Sequence, residues 1–379
     1  MSSEPISSLS ASSSELSTFD DVALYDYELP EDLIAQEPLP VRDASRLLVL
    51  ERGTTKIQHR GIRDLPELLA PGDCLVLNDT RVLPARLIGQ RAQTGGKWEG
   101  LYLGQSASGD WRLIGQTRGY LKPGEQVIVS PLGENSGNTT DSLCLTMIDR
   151  EPDGVWLMRP NLPGDVVQRL QQFGTMPLPP YMRRKVANQV DWQRYQTTYA
   201  RQPGSVAAPT AGLHLTESLL AAIEQRGVEI ARVTLHVGLG TFRPIGVSRL
   251  SEHQMHSEWC EIDESAVQQI QSARQRGGRI VAVGTTSVRT LETASADGVL
   301  KPFRGSTEIF IRPPYQFRSI DALLTNFHLP RSTLIVLVSA LAGIEPIRAA
   351  YVAAIDERYR FYSYGDAMLI LPSLTQRVT

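Results

Sequence analysis

The sequence predicts a large layered α/β domain interrupted by an inserted small antiparallel β-barrel domain. Three observations lead there. The chain has 379 residues, 41% of them hydrophobic, which is more than one growing core accommodates, so two domains are expected. From about Asn78 to Met158, short β-rich runs alternate with Gly, Ser and Asn turns, the spacing of a small barrel or sandwich. After the proline-rich Met176-Pro-Leu-Pro-Pro180 the rhythm becomes alternating strand and helix, which indicates βα units with mainly parallel pairing. On this reading residues 1–19 are a disordered Ser-rich tail, 20–73 and 160–379 form the α/β domain, and 74–159 form the inserted barrel.

Each element has its own signals. The first 18 residues hold nine serines, no basic residue and no apolar h-region, the composition of a tail rather than of a secretory or organellar signal. Gly61 to Ala70 reads as a short helix closed by Pro71-Gly72, and Cys74-Leu-Val-Leu-Asn78 as a buried strand that leads into the insertion. Within the insertion, Arg86-Leu-Ile-Gly89, Trp98-Glu-Gly-Leu-Tyr-Leu103, Gln126-Val-Ile-Val-Ser130 and Val155-Trp-Leu-Met158 are the strand-like runs. Thr216 is placed to cap a helix through Gln225 that Gly227 ends, and Val228 to His236 follows as a strand. Asp263 caps the next helix, Gly277-Gly278 close it, and Arg279 to Val283 is the strand after it. A third unit runs from a strand, Ala322 to Thr325, through the loop Asn326 to Arg331 into a helix that starts near Ser332.

Composition narrows the function classes. A formal charge of -3 and a pI near 6.1 give no global basic signature, so a nucleic-acid partner would need a local patch. Arg183-Arg-Lys185, close to Tyr181 and Trp192, is the best such patch with aromatics. Most of the 38 basic residues are arginines, whose planar fork suits phosphate and carboxylate, although codon bias has the same effect. Cys74, Cys144 and Cys260 form no C-x-x-C pair, which fits a reduced, cytoplasmic setting. The longest apolar run, Leu334 to Ile344, is far short of the ~20 residues that span a bilayer, so a soluble protein without a membrane partner is expected.

Five polar loops at the ends of apolar runs carry the chemistry-bearing residues. They are Ala208-Pro-Thr-Ala-Gly-Leu-His214, His236-Val-Gly-Leu-Gly-Thr-Phe242, Gly284-Thr-Thr-Ser-Val-Arg289, Thr325-Asn-Phe-His-Leu-Pro330 and Ser363-Tyr-Gly-Asp366. In an α/β sheet such strand ends converge on one crevice. Gly284 to Arg289 opens a helix, and a helix N-terminus binds carboxylate or phosphate, unless Thr286 or Ser287 merely caps it. Gly238-Leu-Gly-Thr-Phe242 lacks the third glycine of a dinucleotide fingerprint and the lysine of a P-loop. His214, His236 and His328 fall in or beside these loops, which raises the prospect that one acts as an acid or base. His253-x-x-His256 near Glu258 and Cys260 lacks a closed four-ligand spacing, so no metal is expected. Asn78-Asp-Thr-Arg81 and Arg86 make either a turn with a salt bridge or a substrate contact.

Taken together, these motifs resemble the S-adenosylmethionine:tRNA ribosyltransferase-isomerases of queuosine biosynthesis. The resemblance rests on Leu77-Asn-Asp-Thr-Arg-Val82, Met176-Pro-Leu-Pro-Pro-Tyr181, Gly204-Ser-Val-Ala-Ala-Pro-Thr-Ala-Gly-Leu-His214, Leu235-His-Val-Gly-Leu-Gly-Thr-Phe242, Met255-His-Ser-Glu258, Val283-Gly-Thr-Thr-Ser-Val-Arg289, Leu324-Thr-Asn-Phe-His-Leu-Pro330 and Tyr364-Gly-Asp-Ala-Met368, in family order from Tyr25 to Leu371. The chain departs from the pattern at Trp259-Cys260, at Trp98-Glu-Gly100 and at Pro314. The resemblance implies transfer of the ribosyl part of S-adenosylmethionine, a substrate rather than a prosthetic group, to 7-aminomethyl-7-deazaguanine at the wobble position of tRNA. Epoxyqueuosine-tRNA, adenine and methionine are the implied products, formed by a cytoplasmic monomer.

Chemistry then nominates residues. Hydrogens at C5′ beside the sulfonium are acidified, so a base of moderate pKa starts the reaction, and the leaving adenine needs a proton. His214, His236, Glu258, His328 and Asp366 are the catalytic candidates. Gly238, Gly240, Thr241, Phe242, Thr285, Thr286, Ser287, Arg289 and Phe327 are the candidates for S-adenosylmethionine, with the helix-terminal hydroxyls and Arg289 on its carboxylate and a phenylalanine on adenine or the sulfonium. Asn78, Asp79, Arg81, Arg86, Arg183 and Arg184 are the candidates for tRNA, whose anticodon bases are open to splaying. The competing readings are an S-adenosylmethionine-dependent RNA methyltransferase, which the missing G-x-G-x-G loop disfavours, and a non-catalytic tRNA-binding module.

Overall fold

A computed structural model describes residues 18–131 and 142–373, apart from 153, 163, 185, 239 and 241–243. Thr241 and Phe242, and all of the serine-rich tail but Thr18 and Phe19, therefore lie outside the described residues. In chain order, β1 (Arg46–Glu51) and β2 (Ile57–Gly61) form a hairpin, α1 (Leu65–Leu68) makes one turn, and β3 (Cys74–Asn78) follows. Next come β4 (Thr80–Val82), β5 (Arg86–Arg91), β6 (Lys97–Gln105), β7 (Trp111–Thr117), β8 (Gln126–Val129), β9 (Leu143–Arg150) and β10 (Trp156–Pro160). The chain returns through α2 (Val166–Phe173), β11 (Gly174–Thr175), α3 (Gln189–Arg194) and β12 (Gln202–Ser205). Its second half runs α4 (Glu217–Gln225), β13 (Glu229–Leu235), β14 (Glu258–Ile262), α5 (Glu264–Gln275), β15 (Ile280–Val283), α6 (Thr285–Ala294), β16 (Phe303–Thr307), β17 (Ala322–Asn326), α7 (Thr333–Ala342), α8 (Ile344–Asp356) and β18 (Ala367–Leu371).

Among the described residues the large sheet has the order β16-β14-β13-β3-β15-β17-β18-β1-β2. Its centre, β13-β3-β15-β17, is parallel, and so is β18 with β1; the remaining neighbours are antiparallel. The expectation of mainly parallel pairing is thus corrected to a mixed sheet. A single crossover helix returns the chain to the edge where the previous strand began and forces parallel pairing. After β17, however, α7 and α8 are bent through 115° at Gly343, which leaves the chain where β17 ended, so β18 runs back antiparallel.

Strand alternation sorts the core onto two faces. Leu48, Leu50, Ile280 and Ala282 pack with α5 to α8, while Leu47, Val49, Val281 and Val283 pack with α1 and α4. Both faces are covered, which explains why these strands read as continuous apolar runs. The expected caps form: the side chains of Thr216, Asp263 and Ser332 accept the N–H of Leu219, Ala266 and Ile335.

The insertion closes as a six-stranded antiparallel barrel, β5-β6-β7-β10-β9-β8, with β5 and β8 paired to seal it. Its expected limits of 74 and 159 do not match the strand pairing. β3 pairs with β13 and β15 in the large sheet, and at the other end α2 places Leu170 and Phe173 in the barrel core. A buried parallel strand and a barrel strand are both short apolar runs, so texture alone cannot separate them.

Candidate active site

The C-terminal ends of β13, β3, β15 and β17 and the start of β18 meet at one edge, where Asn326 is in register with Ala367. They frame a cleft of about 620 Å³, open mouth included, walled by Thr210, Gly284, Thr285, Thr286, Thr325, Asn326, His328, Tyr181 and Ser363. The Thr210 hydroxyl donates to Asn326 Oδ1 at 2.8 Å, tying the first loop to the fourth. Gly284 starts α6 at φ 83°, ψ 153°, a conformation that side chains other than glycine's rarely tolerate. No side chain caps this helix, so neither Thr286 nor Ser287 plays the capping role considered from the sequence. The Thr286 hydroxyl is buried in the cleft wall without a hydrogen-bond partner among the described residues, and Nε and Nη2 of Arg289, outside that wall, are likewise buried and unpartnered among them. Ser287 is corrected: its hydroxyl turns back to the Val283 carbonyl at 2.8 Å and is fully buried.

Beside the cleft lies a second hollow of about 450 Å³, bounded by Gly240, His253, His256, Glu258, Arg289 and Leu334, the last shared with the cleft. Glu258, at the start of β14, forms a buried ion pair with Arg289 and accepts the Gly238 N–H at 2.8 Å. Taking both charges out of water is costly, and the pair holds together because each compensates the other. Among the described residues no three His, Cys, Asp or Glu side chains cluster as metal ligands.

The structure separates the catalytic candidates. His328 lines the cleft, its Nε2 2.8 Å from Thr325 Oγ1, and burial pushes its pKa down to about 3. His214 lies outside the cleft wall, beside a separate hollow with Arg42 and Arg194; burial lowers its pKa to about 4, and nearby arginines add to the effect. His236 is turned toward the barrel side, stacked on Trp259 at 4.9 Å with Nδ1 2.8 Å from Thr80 Oγ1, and burial lowers its pKa too. Asp366 is a structural clasp: it accepts the N–H groups of Arg46 at 2.9 Å and Arg360 at 2.8 Å, plus the Arg46 guanidinium at 3.4 Å. Phe327 is among the residues that line the cleft, but its ring is fully buried against Tyr351, Tyr359 and Phe361.

The candidates for RNA also divide. Asn78 is fully buried and bonds both the N–H and the carbonyl of Leu235, while Asp79 is buried and accepts the Thr234 hydroxyl at 2.7 Å. Arg184 is spent on Asp191 at 2.8 Å and on the Gln36 carbonyl at 2.7 Å. These three are corrected to internal roles, because the hydrogen bonds they make are all to groups within the fold. Arg81 and Arg183 are exposed, and Arg86, paired with Glu99 at 2.7 Å, lines a groove between barrel and large domain together with Gly238. Sequence reasoning passed over Tyr181, Thr210 and Asn326, which wall the cleft. All three sit inside quoted motifs, but neutral polar side chains carry no titration signature to single them out.

Comparison with known proteins agrees with the architecture. The family model described as queuosine biosynthesis protein matches residues 22–370. The S-adenosylmethionine:tRNA ribosyltransferase-isomerase of Symbiobacterium thermophilum is 50% identical over 92% of this chain and 98% of its own length. The namesake from Desulforamulus reducens is 48% identical with the same coverage. The crystal structure of S-adenosylmethionine tRNA ribosyltransferase from Thermotoga maritima, 37% identical, covers 92% of this chain and 100% of its own with a TM-score of 0.52. Matches of this length and identity, spanning both the sheet and the barrel, mean that the chain belongs to the queuosine biosynthesis protein family, among the S-adenosylmethionine:tRNA ribosyltransferase-isomerases.

Proposed function

We propose that this chain transfers and isomerises the ribosyl moiety of S-adenosylmethionine onto 7-aminomethyl-7-deazaguanine at the wobble position of tRNA, releasing adenine and methionine and leaving epoxyqueuosine-tRNA. In a member of this family, the observation that carries the reading is the set of buried donors without a partner among the described residues, Thr286 Oγ1 at the uncapped start of α6 and, one turn on at the adjoining hollow, Arg289 Nε and Nη2. An uncapped helix start with spare hydroxyl and guanidinium N–H groups suits the methionine carboxylate of S-adenosylmethionine. That placement brings the sulfonium and ribose toward Asn326 and His328. Thr285 and Thr286 remain the ligand contacts, and Gly240 borders the adjoining hollow.

His328 is the proposed base for the C5′ proton. Burial keeps the imidazole neutral, the form that accepts a proton, but also lowers its basicity, so transfer from C5′ requires the bound substrate to raise its pKa toward the moderate range. Nε2 and Thr325 Oγ1 share a hydrogen bond, and in the tautomer that carries its proton on Nε2 the lone pair that accepts the C5′ proton is on Nδ1. The imidazolium so formed can pass its proton on, and a ring nitrogen of the departing adenine is the group that needs one. The Glu258–Arg289 pair fixes the guanidinium rather than taking part in proton transfer. We take the working form to be a cytoplasmic monomer, in keeping with three unpaired cysteines and a reducing compartment; sedimentation of a dimer at assay concentration would replace that assignment.

The test uses tRNA carrying the aminomethyl base and S-adenosylmethionine labelled separately in ribose and in methyl. Ribose label is expected in the tRNA, with one adenine and one methionine released per transfer. Methyl label in the tRNA would mean a methyltransferase, and binding without transfer a non-catalytic module.

A further inference from the structure

The groove between barrel and large domain has a volume of about 740 Å³, with Pro177 to Pro180, Val206 and Gly238 on one side and the outer face of β5, β6 and β7 on the other. Register determines what that face presents. Arg86, Leu101 and Ile114 form one row across the three strands, and Ile88, Glu99 and Gln116 the next. Gln90 with Lys97 makes a third, which Arg118 extends one residue beyond β7. Between the rows, Gly100 and Gly115 face each other, and a Cβ on either would stand 2.3 Å and 2.2 Å from the rings of Trp98 and Trp156. The tryptophans fill the barrel interior, and on the outer face the apolar floor of the groove is formed by Leu101 and Ile114.

The third row opens onto a cationic rim. Lys97, Arg118, Lys122 and Arg150 form no salt bridge among the described residues, and the neighbouring carboxylates are occupied: Glu99 by Arg86 and Glu125 by Arg91, each at 2.7 Å. Asp149 remains, accepting the Arg150 N–H. Arg91 also donates to the carbonyls of Arg118 and Tyr120, at 3.3 Å and 3.4 Å, and Lys122 N–H to Glu125 at 2.8 Å, so the rim loop is held in shape. Tyr120 is 58% exposed, and the Arg150 guanidinium lies over its ring at 4.9 Å. In a chain of net charge -3, this is the kind of local patch that a nucleic-acid partner requires. Three segments lead from groove to cleft within two residues: Pro180 to Tyr181, Val206 to Ala208 and Gly238 to Val237.

We infer that this barrel face docks the single-stranded loop of the acceptor RNA, with bases on Leu101, Ile114 and Tyr120, phosphates on the rim cations, and the reacting nucleotide carried on into the cleft. The inference rests on the ribosyl-transfer reading above. Stacking on an aromatic ring is indifferent to base identity, and each cation that meets a phosphate releases a counterion. The test is binding of tRNA transcript over a range of salt by wild type, by Lys97→Glu with Arg118→Glu, and by Tyr120→Ala. All three substituted residues have exposed side chains, and thermal melting controls for folding. The double reversal should weaken binding at least ~10-fold and flatten the plot of log affinity against log salt by about 1.4, roughly 0.7 per lost phosphate contact on a single strand. Tyr120→Ala should weaken it by about 10-fold with little change in slope. S-adenosylmethionine binding, measured by calorimetry, should be unchanged in both. Wild-type transfer to tRNA with affinity and slope unaltered in the variants would overturn the docking surface and leave the proposed function standing. A wild type that neither binds nor modifies tRNA would overturn both.

Discussion

Asp366 and His328 stand at the same edge of the large sheet, yet their surroundings assign them opposite parts. Asp366 is engaged by two backbone N–H groups and a guanidinium and does not line the cleft. Its replacement by alanine orphans the N–H groups of Arg46 and Arg360, each costing about 1–3 kcal/mol if it stays buried. Asp366→Ala should therefore lower the unfolding midpoint while the folded fraction keeps its turnover. His328→Gln preserves volume and removes the base, so the single-turnover rate should fall ~10²–10⁴-fold with little loss of stability. Measured side by side at saturating S-adenosylmethionine and tRNA, the reverse pattern would exchange the two roles. A histidine and an aspartate in adjoining motifs look alike in a sequence, and only their neighbours distinguish them.

At the scale of the element, α6 organises the site. It begins at a glycine whose backbone angles exclude a side chain, offers an uncapped first turn to the cleft, and one turn later presents Arg289 to Glu258 on β14. Gly284→Ala should destabilise the fold by roughly 1–3 kcal/mol, read from urea unfolding. Arg289→Met leaves a buried carboxylate uncompensated and should cost about 3–5 kcal/mol, much of which Glu258→Gln in the same chain should restore. If the single and double variants were equally unstable, the ion pair would not be what the helix depends on. The helix itself was legible from Gly284 and the apolar strand before it. That Ser287 turns back on Val283 while Thr286 lines the cleft was not, because helix phase relative to the sheet is set by packing against β13 and β15.

The whole molecule adds a pH dependence. Burial holds His214 and His328 at about 4 and about 3, below the ordinary 6.5. Below that value the unfolded chain takes up protons that the folded protein refuses, so stability declines as pH falls from about 6.5 toward 4 and then 3. The two sites together amount to several kcal/mol, at ~1.4 kcal/mol per pKa unit. Above 6.5 both are neutral in both states and neither contributes a slope. Urea midpoints at descending pH should show this decline, and a His214→Asn, His328→Gln variant should show a shallower one. An identical slope in that variant would mean that the two histidines are not responsible.

Much of the architecture was determined by the sequence alone. Hydrophobic periodicity, glycine terminators and the Thr216, Asp263 and Ser332 caps act within a few residues, so strands, helices and polar loops can be read from windows of that size. The motif order likewise sufficed to identify the family. Tertiary structure alone decided where the insertion begins, that β18 runs antiparallel to β17, and which loop residues face one another. It placed His328 on the cleft, set His214 behind the cleft wall against Asn326, turned the Phe327 ring into the core and tied Asp366 to backbone groups, and it aligned Lys97 with Arg118 across the barrel. The reason is physical: a side chain's direction and burial, and through burial its pKa, depend on pairing register between segments far apart in the chain, which no local pattern encodes.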